Sequence, residues 1–88
     1  MAYYGIEPEQ MDQMGRQFES KAAEIQSLVS QLGRAVESVG WSGPDADRFK
    51  TDWQGKHAAE LKSVSEALRN AAQSIRRNMQ EQQSASDR

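Results

Sequence analysis

Apolar residues return at seven-residue intervals along the first half of this chain: Met11, Phe18, Ile25, Leu32 and Val39. Met14, Leu28 and Ala35 fill the three-residue offset between them, with Lys21 as the one polar member of that row. Ala22, Val29 and Val36 widen the stripe on one side. Seven residues are roughly two turns of α-helix, so the pattern predicts one long amphipathic helix over about residues 8–39. The stripe is broader than a two-stranded coiled-coil seam. In the second half, Ala46, Phe49, Trp53, His57, Leu61, Val64, Leu68, Ala72, Ile75 and Met79 advance by threes and fours. They predict a second helix over about residues 45–79.

The punctuation between and around these stripes agrees. Pro8 suits a first helical position, where its missing N–H costs nothing. Glu7 is the expected cap, Glu9 and Asp12 put negative charge near the helix start, and Ile6 with Met11 form a hydrophobic staple. Gly40, Gly43 and Pro44 cluster in the middle. Gly40 follows the last apolar residue, where a left-handed terminator is wanted, and Gly43 gives freedom where the chain reverses. Ser42 and Asp45 have the spacing of a capping box, and Arg76 and Arg77 suit the closing turns of the second helix. Residues 80–88, QEQQSASDR, carry no apolar side chain larger than Ala, so a flexible polar tail is expected over about 81–88. Interior Gly15 and Gly33 cost about 1 kcal/mol each relative to Ala, and close approach of another helix is a reason to tolerate them. The turn at about 40–44 is so short that the two helices must fold back on each other. The expected fold is therefore all-α, an antiparallel helix-turn-helix hairpin.

Composition excludes several classes of function. With 88 residues there is room for a single domain and none for a cleft between two. The absence of cysteine rules out a disulfide framework, a thiol nucleophile and Cys-based zinc sites. A formal charge of -2 lacks the basic excess that binding a row of phosphates requires. Lys62, Arg69 and Arg76 recur at sevens, but Glu66 interrupts them and Gln73 dilutes them, so they read as a solvated face. His57, the only histidine, reads as a boundary or core residue of the stripe, and Trp53 and Phe49 read as core. No nucleophile–base spacing, phosphate loop or metal-ligand set is present, so no catalytic residue, metal or cofactor is expected and the chain does not read as an enzyme. MAYYGIEPEQ has neither the basic nor the apolar segment of an ordinary signal peptide, and no stretch is apolar enough for membrane insertion.

A lone hairpin covers only part of two such wide stripes. The missing cover is expected from a second hairpin, making a four-helix bundle through Met11, Met14, Phe18, Ile25, Leu28, Val29, Leu32, Val36 and Val39 of the first helix and Phe49, Trp53, Leu61, Val64, Leu68 and Ile75 of the second. Lys21 in this stripe either snorkels to its edge or pairs across the dimer with an acidic residue such as Glu60, snorkelling being the better reading.

The turn, Gly40-Trp41-Ser42-Gly43-Pro44, places a Trp-Xaa-Gly tripeptide centrally between two four-heptad helices. In that setting it resembles the WXG family, the early-secreted-antigen-like substrates of type VII (ESX) secretion in actinobacteria and firmicutes. The resemblance covers about residues 5–80. It implies a small non-enzymatic secreted protein, made and folded in the cytoplasm and exported by a route independent of the general pathway. The implied partners are a second copy or a related WXG protein, and the secretion ATPase. Trp41, Ser42 and Gly43 would form part of the recognition surface. One departure is plain: family members or their partners often carry Tyr-Xaa-Xaa-Xaa-Asp/Glu after the second helix, and this chain has no tyrosine beyond Tyr4. A co-exported partner would then supply that signal. The alternatives are a cytosolic adaptor or chaperone for a larger toxin and, more distantly, a DNA-associated bundle.

Overall fold

The computed structural model describes residues 7–86. Helix α1 runs Pro8–Ser38, α2 runs Pro44–Asp52, a π-helical turn follows at Trp53–His57, and α3 runs Ala58–Ser86. The last three form one continuous rod that lies back along α1, giving a body of 66 × 19 × 16 Å. The molecule is an all-α hairpin, with no strand among the described residues.

Helix α1 opens as its sequence demands. Pro8 holds the first position and Glu7 precedes it in extended geometry, its carbonyl accepting the Met11 N–H at 3.0 Å. No side-chain bond caps this end; Ile6, the other half of the expected staple, lies outside the described residues. At the far end Val39 is extended, with φ -73° and ψ 141°, its N–H reaching Ala35 O. Gly40 is thus not the left-handed terminator that its position suggested. The positive φ falls on Gly43, at 112°, the residue that caps α2 ahead of Pro44. This also displaces the expected capping box: Ser42 stands one residue too early, and α2 has no side-chain cap bond. Asp45 and Asp47 instead lie in its first turn, favourable for the helix dipole.

The second rod holds a feature that its periodicity carried in disguise. Phe49, Trp53, His57 and Leu61 are three successive steps of four, which drift away from a straight 3.6-residue stripe. The π turn absorbs the drift: the Ala58 N–H bonds to Trp53 O, five residues back. Ala46 and Ala58, twelve residues apart, would be about 120° out of phase in an unbroken α-helix. One extra residue in the turn brings them within about 20°, and both are buried. At its C-terminal end the rod continues beyond Met79, to Ser86. Gln, Glu and Ala are good helix formers, so residues 80–86 prolong the helix without an apolar face.

The two rods meet along a narrow seam of small side chains. Gly15, Ala22 and Val29 on α1, joined by Met11 at its end, face Ala58, Ser65 and Ala72 on α3. Each set recurs at sevens. Small residues let the backbones approach closely, and Ser65, 0% exposed, donates its hydroxyl to the Ala22 carbonyl at 3.0 Å. This bond satisfies a polar group that would otherwise be costly to bury. Gly15 lies on the same seam, where a Cβ would stand at an ordinary contact distance, 3.6 Å, from Ile75 Cγ2.

Candidate interaction face and turn

The seam divides the hairpin into two edges of opposite character. On one edge the rods are tied by polar groups. Arg76 forms an ion pair with Glu19, Arg69 donates to Gln26 Oε1 at 2.6 Å, and Gln54 donates to Glu37 Oε1 at 2.8 Å. This corrects the reading of Lys62, Arg69 and Arg76 as a merely solvated line, because two of the three reach across to α1. They can do so because their seven-residue spacing runs parallel to the seam and one step to its side.

The opposite edge carries the large apolar side chains. Because the seam takes mostly small residues, of the larger side chains in the expected stripe only Met11 and Val29 are buried within the single chain. Met14, Phe18, Ile25, Val36, Trp53, Leu61, Leu68 and Ile75 are half-buried. Leu28 and Leu32 are 52% and 45% exposed, and Val39, Phe49 and Val64 are similarly open. Phe49 is therefore not core within one chain. Trp53 lies beside the seam, its indole Nε1 3.9 Å from where a Cβ on Gly33 would stand. Lys21 belongs to this edge, lining a shallow depression with Gln17, Phe18 and Leu68. It pairs with Glu24 of its own helix at 3.2 Å. His57 is exposed and sits 3.5 Å from Glu60 within the π turn's neighbourhood, so it is not a core residue.

The turn stands at one end of this edge. Trp41 packs on Phe49 with ring centroids 5.6 Å apart and planes tilted by 48°. Its backbone carbonyl accepts from Lys50 Nζ at 3.5 Å. The indole is not a buried plug, since Trp41 is 44% exposed. Ser42 and Gly43 are exposed beside it. The φ of 112° at Gly43 explains the glycine of the tripeptide in physical terms: side-chain-bearing residues rarely adopt it. With Val39, these residues make an exposed aromatic and aliphatic tip next to the apolar edge.

Several residues that build this arrangement carried weak sequence signals. Ala58 and Ser65 lie off the large-residue stripe, and a recurrence of small residues at 58, 65 and 72 was the available clue. Glu19, Gln26, Glu37 and Gln54 look like any solvated polar residues until the rods are placed side by side. Among the described residues no group of three or more His, Cys, Asp and Glu is placed to hold a metal ion, and no helix is long and apolar enough to cross a membrane.

Comparison with curated proteins and with solved structures gives no match. The family model described as "Proteins of 100 residues with WXG" matches residues 4–88, nearly the whole chain and both rods with the turn between them. That family comprises small helical secreted proteins that are non-enzymatic and that generally form dimers with WXG proteins. A two-rod hairpin with Trp41-Ser42-Gly43 exposed at its tip, matched along almost its full length, belongs to the WXG100 family.

Proposed function

We propose that this chain is a substrate or co-substrate of a type VII (ESX) secretion system, synthesised and folded in the cytoplasm of an actinobacterium or firmicute and exported as a dimer of hairpins. It acts through surfaces, with no cofactor and no chemistry of its own. The apolar edge takes a second hairpin, from another copy or a related WXG protein, to complete a four-helix bundle. The Trp41-Ser42-Gly43 tip serves as part of the surface that the secretion ATPase reads. One observation carries this reading: Trp41 packs on Phe49 and yet remains 44% exposed, at the end of an apolar edge that its own chain covers only in part. An exposed, positioned aromatic is a common anchor for recognition.

The test is detection of the chain in culture fluid, with and without a working secretion ATPase. ATPase-dependent export is expected. Trp41→Ala should abolish export while leaving helicity unchanged, because the indole caps no buried core. Retention in the cell under all conditions would favour the adaptor reading, and a salt-dependent shift of DNA mobility would favour the DNA-associated one.

A further inference from the structure

Three features that the packing of the hairpin does not demand meet at one place. Gly33 sits inside α1, where glycine weakens a helix relative to alanine. Its φ is not positive, and a Cβ there would meet only the Trp53 indole, at an ordinary 3.9 Å. Facing it is the π turn, and Gly55 within that turn has open space where a Cβ would stand. The turn itself amounts to an insertion: with one residue fewer, Ala46 and Ala58 would share a face on an unbroken α-helix. Such turns, and local costs without a packing reason, gather at functional sites. Here they border an open groove of about 800 Å³ on the polar edge, lined by Val29, Ser30, Arg34, Trp53, Gln54 and Lys62 along with Gly33 itself. Past Ser30 and Lys62 it runs on to Gln26 and Glu66. From Ser38 to Gln26 the track is about 18 Å long at 1.5 Å per residue.

The chemistry of this track selects its occupant. Arg34 and Lys62 are exposed, and among the described residues neither forms an ion pair. Of the carboxylates along it, Glu37 already accepts from Gln54 at 2.8 Å, and Glu66 stands at the far end. Two cations therefore face solvent beside the apolar surface of Val29 and Trp53. A length of about 18 Å suits five or six residues of extended chain at about 3.3 Å each. We propose that the groove docks an extended acidic peptide of a partner protein, its carboxylates on Arg34 and Lys62 and an apolar side chain over Gly33 beside the Trp53 indole. The missing Cβ at Gly33 lets that side chain approach the backbone of α1. Two cations neutralise too few phosphates to hold a nucleic acid strand, and a small ligand wants a more enclosed cavity than this open track. The site lies on the polar edge, so a second hairpin on the apolar edge leaves it open. It goes beyond the secretion reading and does not depend on it.

Fluorescence anisotropy with the full chain and two labelled hexapeptides tests the groove, one peptide alternating Glu with Leu and the other Lys with Leu. The Glu peptide should bind at least about tenfold more tightly than the Lys peptide. Gly33→Ala keeps every charge and should raise the melting temperature, because the helix gains propensity and meets no clash. It should nevertheless weaken binding of the Glu peptide about fivefold, since the added methyl fills the approach to the backbone. Arg34→Ala and Lys62→Ala should each weaken it about fivefold. Arg16→Ala makes the same change in net charge outside the groove and should leave binding within about twofold. Circular dichroism checks that each variant folds. No saturable binding of the Glu peptide by about 1 mM overturns the proposal. So does Gly33→Ala binding as wild type does, or Arg16→Ala losing as much as Arg34→Ala, because either would mean diffuse attraction and not a shaped site. Tighter binding of single-stranded DNA or of phosphatidylserine vesicles, lost in the same variants, overturns the peptide as occupant. Export and dimerisation are measured apart from these, and their failure leaves the groove standing.

Discussion

On one edge of the hairpin, Arg76 meets Glu19, Arg69 meets Gln26 and Gln54 meets Glu37. On the other, Leu28, Leu32 and Val64 stand about half exposed with no comparable partner in their own chain. The two edges flank the same seam and belong to the same rods. Polar ties satisfy themselves within one chain and add little where solvent reaches them. Half-exposed leucines gain most when another surface removes the remaining water. The difference therefore separates what aligns the hairpin from what would drive the proposed association, and each part can be tested by its own substitution.

The seam should be the most sensitive. Ala22 is fully enclosed and its carbonyl accepts the Ser65 hydroxyl, so Ala22→Leu forces the rods apart. A loss of about 3 kcal/mol in hairpin stability is expected in thermal or urea melts. Association should fail with it, since both edges depend on the rods staying in contact. Next in size is the apolar edge. Leu32→Ser should leave the helicity of the dilute chain nearly unchanged and weaken the dimer by about 2 kcal/mol, roughly thirtyfold in dissociation constant. An equal loss in the dilute monomer would mean that Leu32 already has its cover within one chain, and the comparison would fail.

These expectations also show where the sequence was transparent and where it was not. The rods, their antiparallel return and the tip were legible, because a seven-residue apolar recurrence and a Gly-Pro cluster are local signals. The seam was legible only in part: Ala22, Val29 and Ala72 stood within the stripes, but Gly15, Ala58 and Ser65 did not, because large side chains dominate any hydrophobic pattern. The large residues of the stripe, which a lone hairpin was expected to cover only in part, lie mostly on its outer edge. The π turn was present as three steps of four from Phe49 to Leu61, but such steps read equally as ordinary helix until Ala46 and Ala58 must share one face. Gly43 against Gly40 turned on a backbone angle that composition does not specify.

Gly15 offers a smaller test of the same seam. A Cβ there would sit 3.6 Å from Ile75 Cγ2 and 3.9 Å from the Ala72 carbonyl, ordinary contact distances. Gly15→Ala should therefore stabilise the hairpin by about 0.7 kcal/mol, because the helix gains propensity and meets no clash. A loss instead would show that the rods lie closer than these distances.

The polar edge should respond least, and its response should depend on salt. Arg76 and Glu19 are 44% and 42% exposed as side chains, so screening leaves their ion pair about 0.5 kcal/mol or less. Arg76 does more than carry charge, because its Cγ lies 3.9 Å from where a Cβ on Gly15 would stand, so its stem runs along the seam. Arg76→Met keeps most of that stem and removes the charge. It should cost less than Arg76→Ala in melts at low salt, and its cost should vanish in about 1 M salt, where charges interact over only about 3 Å. The cost of Leu32→Ser to the dimer should not shrink under the same conditions, since apolar burial is not screened. If instead Arg76→Met cost as much as Leu32→Ser and kept its cost in salt, the polar ties would be structural members in their own right, and the two edges would share the work that the comparison assigns to one.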